Sequence, residues 1–319
     1  MTTRLTTDDE LIAYCANGSE RVGTAITQGD PDVLTEVLTA VLGSRTAMLG
    51  TYATWTAHTM HFLAGRMNPE DLTPWMRFER DVVVSERNGL DRPRAERVLA
   101  MLADPEALAA ELTELLRAAR PDEARSRWHQ IDAANLAAHQ HRRDVLTSWW
   151  SDVYEAWGAT GLSELMTELG NAPGWRDFLT SSLAAPIEEQ VRDFAYILTV
   201  GNYGSASIAE HEDRFELRYN VCGSCGLQEL AGRFDGPDGY ARTTTELPGF
   251  DSGDPATTVY RTHQAMLHAV AAIDVAGQPY PVISCDGPGG RQGCRFTFFK
   301  GATPAEHFER VGRTRPAGS

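Results

Sequence analysis

The chain has 319 residues, 42% of them hydrophobic and 23% charged, enough for one large folded domain or two modest ones. A formal net charge of −15 leaves no basic face for a phosphate backbone, so nucleic acid is not an expected partner. No apolar run reads as long enough to cross a bilayer, and the polar, acidic start "MTTRLTTDDEL" is unlike a secretion signal.

The expected location is therefore the cytoplasm, with no membrane partner. The basic residues are almost all arginine; the single lysine, Lys300, ends a strand and reads as a surface charge. Cys15, alone in "IAYCANG" on a first helix, reads as a small buried side chain.

Residues 1–200 read as helices almost throughout. "DPDVLTEVLTAVLGSRTAMLGTYATWTAHTMHFLAGRM" carries apolar residues at intervals of three and four, and Asp30-Pro31 resembles a helix start. "DPEALAAELTELLRAAR" repeats that start at Asp104-Pro105 and stops before Pro121. A long helical stretch follows from "RSRWHQ", with Gly158 and Gly161 as expected breaks, and "APIEEQVRDFAYILTV" gives a last helix.

The pattern then changes. "RFELRYNV" alternates, placing Phe215, Leu217, Tyr219 and Val221 on one side of a half-buried strand. "TTVYRTHQAMLHAVAAIDVAG" returns to helical spacing, and "YPVISC" and "CRFTFFK" are short strands joined by a glycine-rich turn. The expected fold is α+β: a helical domain at 1–200, a small antiparallel α+β domain at 201–312, and a disordered tail at 313–319. The last helices before residue 200 could also pack on the sheet.

Four of the five cysteines lie in two glycine-rich turns, "CGSCG" and "CDGPGGRQGC". Short turns of this kind let a backbone bend around sulfur and aim N–H groups at it, as a thiolate-bound zinc requires. Cys222, Cys225, Cys285 and Cys294 are thus the expected ligands of one Zn2+. The eight residues between the second pair depart from the paired CxxC of zinc fingers. A thioredoxin-like dithiol, with "GLQELAG" as the helix that follows it, an iron–sulfur cluster, and four unrelated thiols remain alternatives.

An all-cysteine zinc is closed and structural, whereas an open position would allow chemistry. In that case His263 is the candidate general base or fourth ligand and Cys222 the candidate nucleophile. Its bland reading is a packed helix histidine, and His268, five positions on, should lie on a different face. Arg291 and Arg295 flank Cys294 and could hold a substrate carboxylate, although a solvated arginine is the simpler reading of Arg295.

In the helical half, His58 and His61 share a face, and His129 and Asp132 are spaced for a hydrogen bond, but no Glu-x-x-His accompanies them. The tryptophans Trp55, Trp75, Trp128, Trp149, Trp150 and Trp157 read as core. No P-loop, GxGxxG, GxSxG or HExxH occurs.

The segments "RYNVCGSCG", "VISCDGPGGRQGCRFTFFK" and "GATPAEHFERVG" resemble the four-vinyl-reductase type of ligand-binding domain and bacterial proteins like L-2-amino-thiazoline-4-carboxylate hydrolase. The resemblance covers the last third of the chain. It implies a zinc held by Cys285 and Cys294 in the closing strand pair, with Cys222 or Cys225 from an earlier strand. The acidic ligand of those domains has no counterpart here, since Pro281 and Val282 stand in its place; the second cysteine of "CGSC" or His263 would replace it.

Two functions follow from this resemblance. The first is a zinc enzyme of bacterial specialised metabolism, hydrolysing or opening or closing a ring in an amino-acid-like or heterocyclic substrate. The second is a small-molecule-binding protein with a purely structural four-cysteine zinc. Either takes a small molecule as partner and leaves room for a homodimer.

Overall fold

A computed structural model describes residues 5–68, 100, 102–236, 239–243, 257–285 and 293–316. In chain order the elements are α1 (Asp8–Cys15), α2 (Gly18–Gln28), α3 (Pro31–Ala64), α4 (Pro105–Arg117), α5 (Pro121–Gly170), α6 (Pro173–Ala184) and α7 (Ile187–Tyr196). Then come β1 (Ser205–Glu210), β2 (Arg214–Val221), α8 (Cys225–Leu230), α9 (Thr262–Ala265), α10 (Ala271–Ala276), β3 (Val282–Cys285), β4 (Cys294–Phe299) and α11 (Glu306–Glu309). The fold is α+β, mostly helical, with one four-stranded antiparallel sheet in the order β1-β2-β4-β3. Trp75 and Arg291 lie outside the described residues.

The chain divides into two units. One holds residues 16–146 and 199–203 and is helical; the other holds 1–15, 147–198 and 204–319 and contains the sheet. The helices between 147 and 198 thus cluster with the sheet.

In the helical unit, α3 begins as its sequence suggests. Pro31 takes the first turn, where its missing N–H costs nothing, and the Asp30 carboxylate accepts from the N–H groups of Asp32 and Val33. Asp104 and Pro105 start α4 in the same manner. By length and composition α3 is long and apolar enough to cross a membrane, contrary to the expectation that no segment would be. It packs against α2 and α4 and buries Leu34, Leu38, Val41, Leu42, Tyr52 and Phe62. His129 and Asp132 do not pair as expected: Asp132 accepts from the Ser19 hydroxyl at 2.5 Å and meets Arg45 at 2.5 Å instead.

In the sheet unit, α5 breaks at Gly158, whose φ of 65° only glycine adopts readily, whereas Gly161 continues the helix. β2 forms where the alternation places it, and its inner residues pair with those of β4: Phe215 opposite Phe298, Leu217 opposite Phe296, Tyr219 opposite Cys294. Phe194 of α7 covers this face, with ring centroids 5.3 Å from Phe296 and 5.5 Å from Phe298. Val221, expected inside, is exposed at the strand's end.

Strand β1 is absent from the sequence reading. "SASIAE" offers small side chains and no aromatic or run of β-branched residues, so only its pairing with β2 makes it a strand. Gly204, just before it, is indispensable, because a Cβ there would lie 1.8 Å from the Tyr219 ring.

Three other expectations change. Lys300 is not a free surface charge: its ammonium lies 2.7 Å from the buried Glu210 carboxylate and above the Phe215 ring. Cys15 is half-buried rather than enclosed. Of the segment expected as a disordered tail, residues 313–316 are described, and the Arg313 guanidinium makes a two-point pair with Asp274 at 2.8 and 2.9 Å.

Candidate metal centre

The first cysteine pair sits where β2 gives way to α8. Tyr219, the last inward residue of the strand, donates its hydroxyl to the Leu198 carbonyl at 2.9 Å and accepts from the Gly223 N–H at 3.0 Å. The phenol therefore pins the turn that follows. Cys222 is fixed within it: its Sγ accepts from the Ser224 N–H at 3.4 Å, and its carbonyl accepts from the Leu227 N–H at 3.0 Å. Cys225 is the first residue of α8, and the two sulfurs lie 3.5 Å apart as free thiols.

Cys294 arrives from the opposite direction, as the first residue of β4. In register it stands between Tyr219 on β2 and Cys285 on β3. Gly293 makes that approach feasible, for its φ is 98° and a Cβ would come within 2.3 Å of the Tyr219 carbonyl oxygen. Cys222, Cys225 and Cys294 are all buried. For Cys285 the backbone register is described and the side chain is not.

Two side chains that the sequence reading did not single out complete the surroundings. Arg261 ends a short 3-10 turn, is 1% exposed, and directs Nη2 to the Cys225 sulfur at 3.7 Å. Gln264, three residues on, lies against Cys294, with amide nitrogen and oxygen 3.9 and 3.8 Å from its sulfur. The three-residue spacing of Arg261 and Gln264 puts both on one side of a helical turn, the one hint in the sequence that they act together.

Electrostatically the two thiols of the pair diverge. The hydrogen bond from Cys222, aided by the Arg261 guanidinium, lowers the Cys225 pKa despite its burial. That shared proton, together with burial and the charges of Cys225 and Cys294, pushes Cys222 well up. A thiolate at Cys225 beside a thiol at Cys222 is the metal-free state this favours.

The spacing suits a metal. Tetrahedral thiolates about 2.3 Å from zinc sit roughly 3.8 Å from one another, against 3.5 Å for Cys222 and Cys225. Among the described residues, no group of three or more His, Cys, Asp or Glu side chains is placed to hold a metal ion.

His263 is held by a different set of contacts. Its Nδ1 donates to the Tyr260 carbonyl at 2.5 Å, and its ring neighbours are Tyr260, Trp150 and His268. Burial lowers its pKa to about 3, so the imidazole is neutral at physiological pH. His268, held by the Tyr280 carbonyl at 2.9 Å, is likewise lowered by burial, to about 4.

The expectation that these histidines face different ways fails, since their ring centroids lie 6.2 Å apart. The reason is backbone: Met266–Val270 is a π-helical segment, and its wider turn brings residues five apart onto one side. Arg295 points away from Cys294, because adjacent strand residues face opposite sides; it lies 3.6 Å from Glu216, which also pairs with Arg218. The structure thus pairs Cys222 with Cys225, sets Cys294 opposite Tyr219 and Cys285 in register, and sends Arg295 elsewhere. No family model, curated protein or solved structure matches the chain.

Proposed function

We propose that Cys222, Cys225, Cys285 and Cys294 hold one zinc ion as a closed, four-thiolate staple, and that the sheet unit is a small-molecule-binding module of the four-vinyl-reductase-like kind, working in the cytoplasm. The observation that carries this reading is the buried Cys222–Cys225 pair, sulfurs 3.5 Å apart at the end of β2, with buried Cys294 opening β4 opposite Tyr219, three residues before Cys222. Buried thiols gain little from such proximity unless something binds them together. Four thiolates and one Zn2+ carry a net charge of −2, and the buried Arg261 beside Cys225 supplies compensating charge. A ring of thiolates leaves the ion no open position and no role as a Lewis acid.

His263 favours the binding reading over the enzymatic one. Its Nδ1 is engaged by the Tyr260 carbonyl and desolvation lowers its pKa, both of which weaken it as a general base at neutral pH. The enzymatic reading, hydrolysis or ring chemistry on an amino-acid-like or heterocyclic molecule, keeps one observation in its favour. The π-helical segment that pairs His263 with His268 is a feature often found at functional sites, and both rings are only half-buried.

Elemental analysis and X-ray absorption of the purified full chain separate the readings. The expected result is about one zinc per chain with four sulfur neighbours at about 2.3 Å. His263→Ala is expected to leave that zinc and its sulfur shell unchanged. A nitrogen or oxygen neighbour in place of a sulfur would shift the reading to an open, catalytic ion, and metal loss in His263→Ala would make the histidine a ligand. A chain without zinc, or one absorbing in the visible as an iron–sulfur protein, would defeat both.

A further inference from the structure

The helical unit contains a buried polar cluster that none of the preceding functions uses. Arg45 of α3 is 3% exposed, with its guanidinium carbon 4.4 Å from the centre of the Tyr203 ring and 5.1 Å from that of Trp128. Next to Tyr203, the Asn202 side-chain oxygen meets His139 Nε2 at 2.8 Å and accepts from the Tyr52 hydroxyl at 3.2 Å. Because an amide oxygen only accepts, Nε2 carries the proton and Nδ1 presents a lone pair. The His139 ring stands edge-on to Tyr203 at 5.4 Å.

Arg45 Nε, Trp128 Nε1, the Tyr203 hydroxyl and His139 Nδ1 are all buried, and none has a hydrogen-bond partner among the described residues. Buried polar atoms are nearly always bonded, and these four belong to side chains that adjoin one another around Tyr203. The backbone of Tyr203 adds a second sign. Its φ is 53°, in the left-handed region that a bulky residue rarely occupies, and such strain gathers at ligand sites. Segment 199–203 clusters with the helical unit and so delivers this side chain and Asn202 to the cluster.

We infer that the Arg45–Trp128–His139–Tyr203 cluster is a binding site for a small zwitterion of the amino-acid class. Arg45 Nε–H, the Trp128 indole N–H and the Tyr203 hydroxyl are donors suited to a carboxylate, and His139 Nδ1 is an acceptor suited to an amino group. Charge selects the class. Arg45 pairs with Asp132, and Arg143 with Asp144 at 2.8 Å, so each of these buried guanidinium groups already faces a carboxylate. A zwitterion carries both signs with no net charge and satisfies donors and acceptor together, and the rings of Trp128, Tyr203 and Tyr52 lie beside these groups.

The test uses the full chain, with each of the twenty standard amino acids as the probe at millimolar concentration, read by thermal shift and titration calorimetry. At least one is expected to bind with unit stoichiometry and raise the melting temperature. Tyr203→Phe, which keeps the ring and removes only the hydroxyl, is expected to weaken that binding by at least about tenfold. Without amino acid this variant should melt no lower than the parent, because it loses a buried hydroxyl that has no partner. Failure of all twenty to bind, or binding of equal strength in Tyr203→Phe, would overturn the assignment. So would a crystal structure with only isolated waters on the four atoms after soaking in the best stabiliser.

Discussion

Cys294→Ala is expected to abolish zinc binding and to unfold the sheet unit at physiological temperature. Two contributions of different size are lost at this position. Removing a buried sulfur opens a small cavity, worth about 1–2 kcal/mol by analogy with other small core deletions. Losing a structural zinc removes far more, since binding of a thiolate-held ion is worth roughly 10–16 kcal/mol in small metal domains, comparable to the whole stability of a typical fold. Elemental analysis, with melting of wild type, Cys294→Ala and chelator-treated wild type, distinguishes the two.

The expected outcome is coincident loss of metal and of cooperative unfolding in the variant and the chelated protein. Cys15→Ser, at the half-buried end of α1, should retain both. A Cys294→Ala protein that keeps one zinc would remove Cys294 from the ligand set, and one that loses only the small cavity energy would show that this sulfur is buried for a reason other than a metal.

The second large effect lies at the far end of the sheet. Glu210 is 1% exposed at the end of β1 and accepts from the Leu5 N–H at 2.7 Å, the Thr6 N–H at 3.0 Å, the Thr6 hydroxyl at 2.6 Å and the Lys300 ammonium at 2.7 Å. Burial alone would raise the pKa of this carboxyl, but these donors outweigh it and bring it down from 4.5 to about 2. A carboxylate held below its unfolded value stabilises the fold fully above pH 4.5. That contribution then drains away as the pH falls toward 2, and it is worth roughly 3 kcal/mol.

Glu210→Gln is expected to cost about 3 kcal/mol at neutral pH, because it leaves the largely buried Lys300 without its counter-charge. The variant should also lose the extra acid sensitivity of the parent between pH 4.5 and 2. Denaturant titrations at several pH values measure both. Parallel stability curves for parent and variant across that range would remove Glu210 as the source.

What the sequence revealed divides along physical lines. Local signals carried through: aspartate followed by proline started α3 and α4, Gly158 broke α5, and alternation fixed β2 over the eight residues from Arg214 to Val221. Features that depend on distant partners did not. β1 is a strand because β2 offers it an edge, and no side-chain pattern in "SASIAE" announces it.

The pairing of His263 with His268 stayed hidden because spacing rules assume 3.6 residues per turn, and a π-helical segment departs from that period. The thiol positions were legible from their glycine-rich turns, but the charge beside them was not. An arginine such as Arg261 looks like a surface residue until the fold encloses it. The same holds for Arg45, whose apolar neighbours on α3 gave no sign that it would be sealed beneath Tyr203.

Because Lys300 is the only lysine in the chain, its clamp on Glu210 turns the protein into its own single-channel reporter. A protease specific for lysine has one bond to cut, between Lys300 and Gly301, and the native ion pair must let go before cleavage. The pace of digestion therefore counts how often β1 and the end of β4 part company, with no label added.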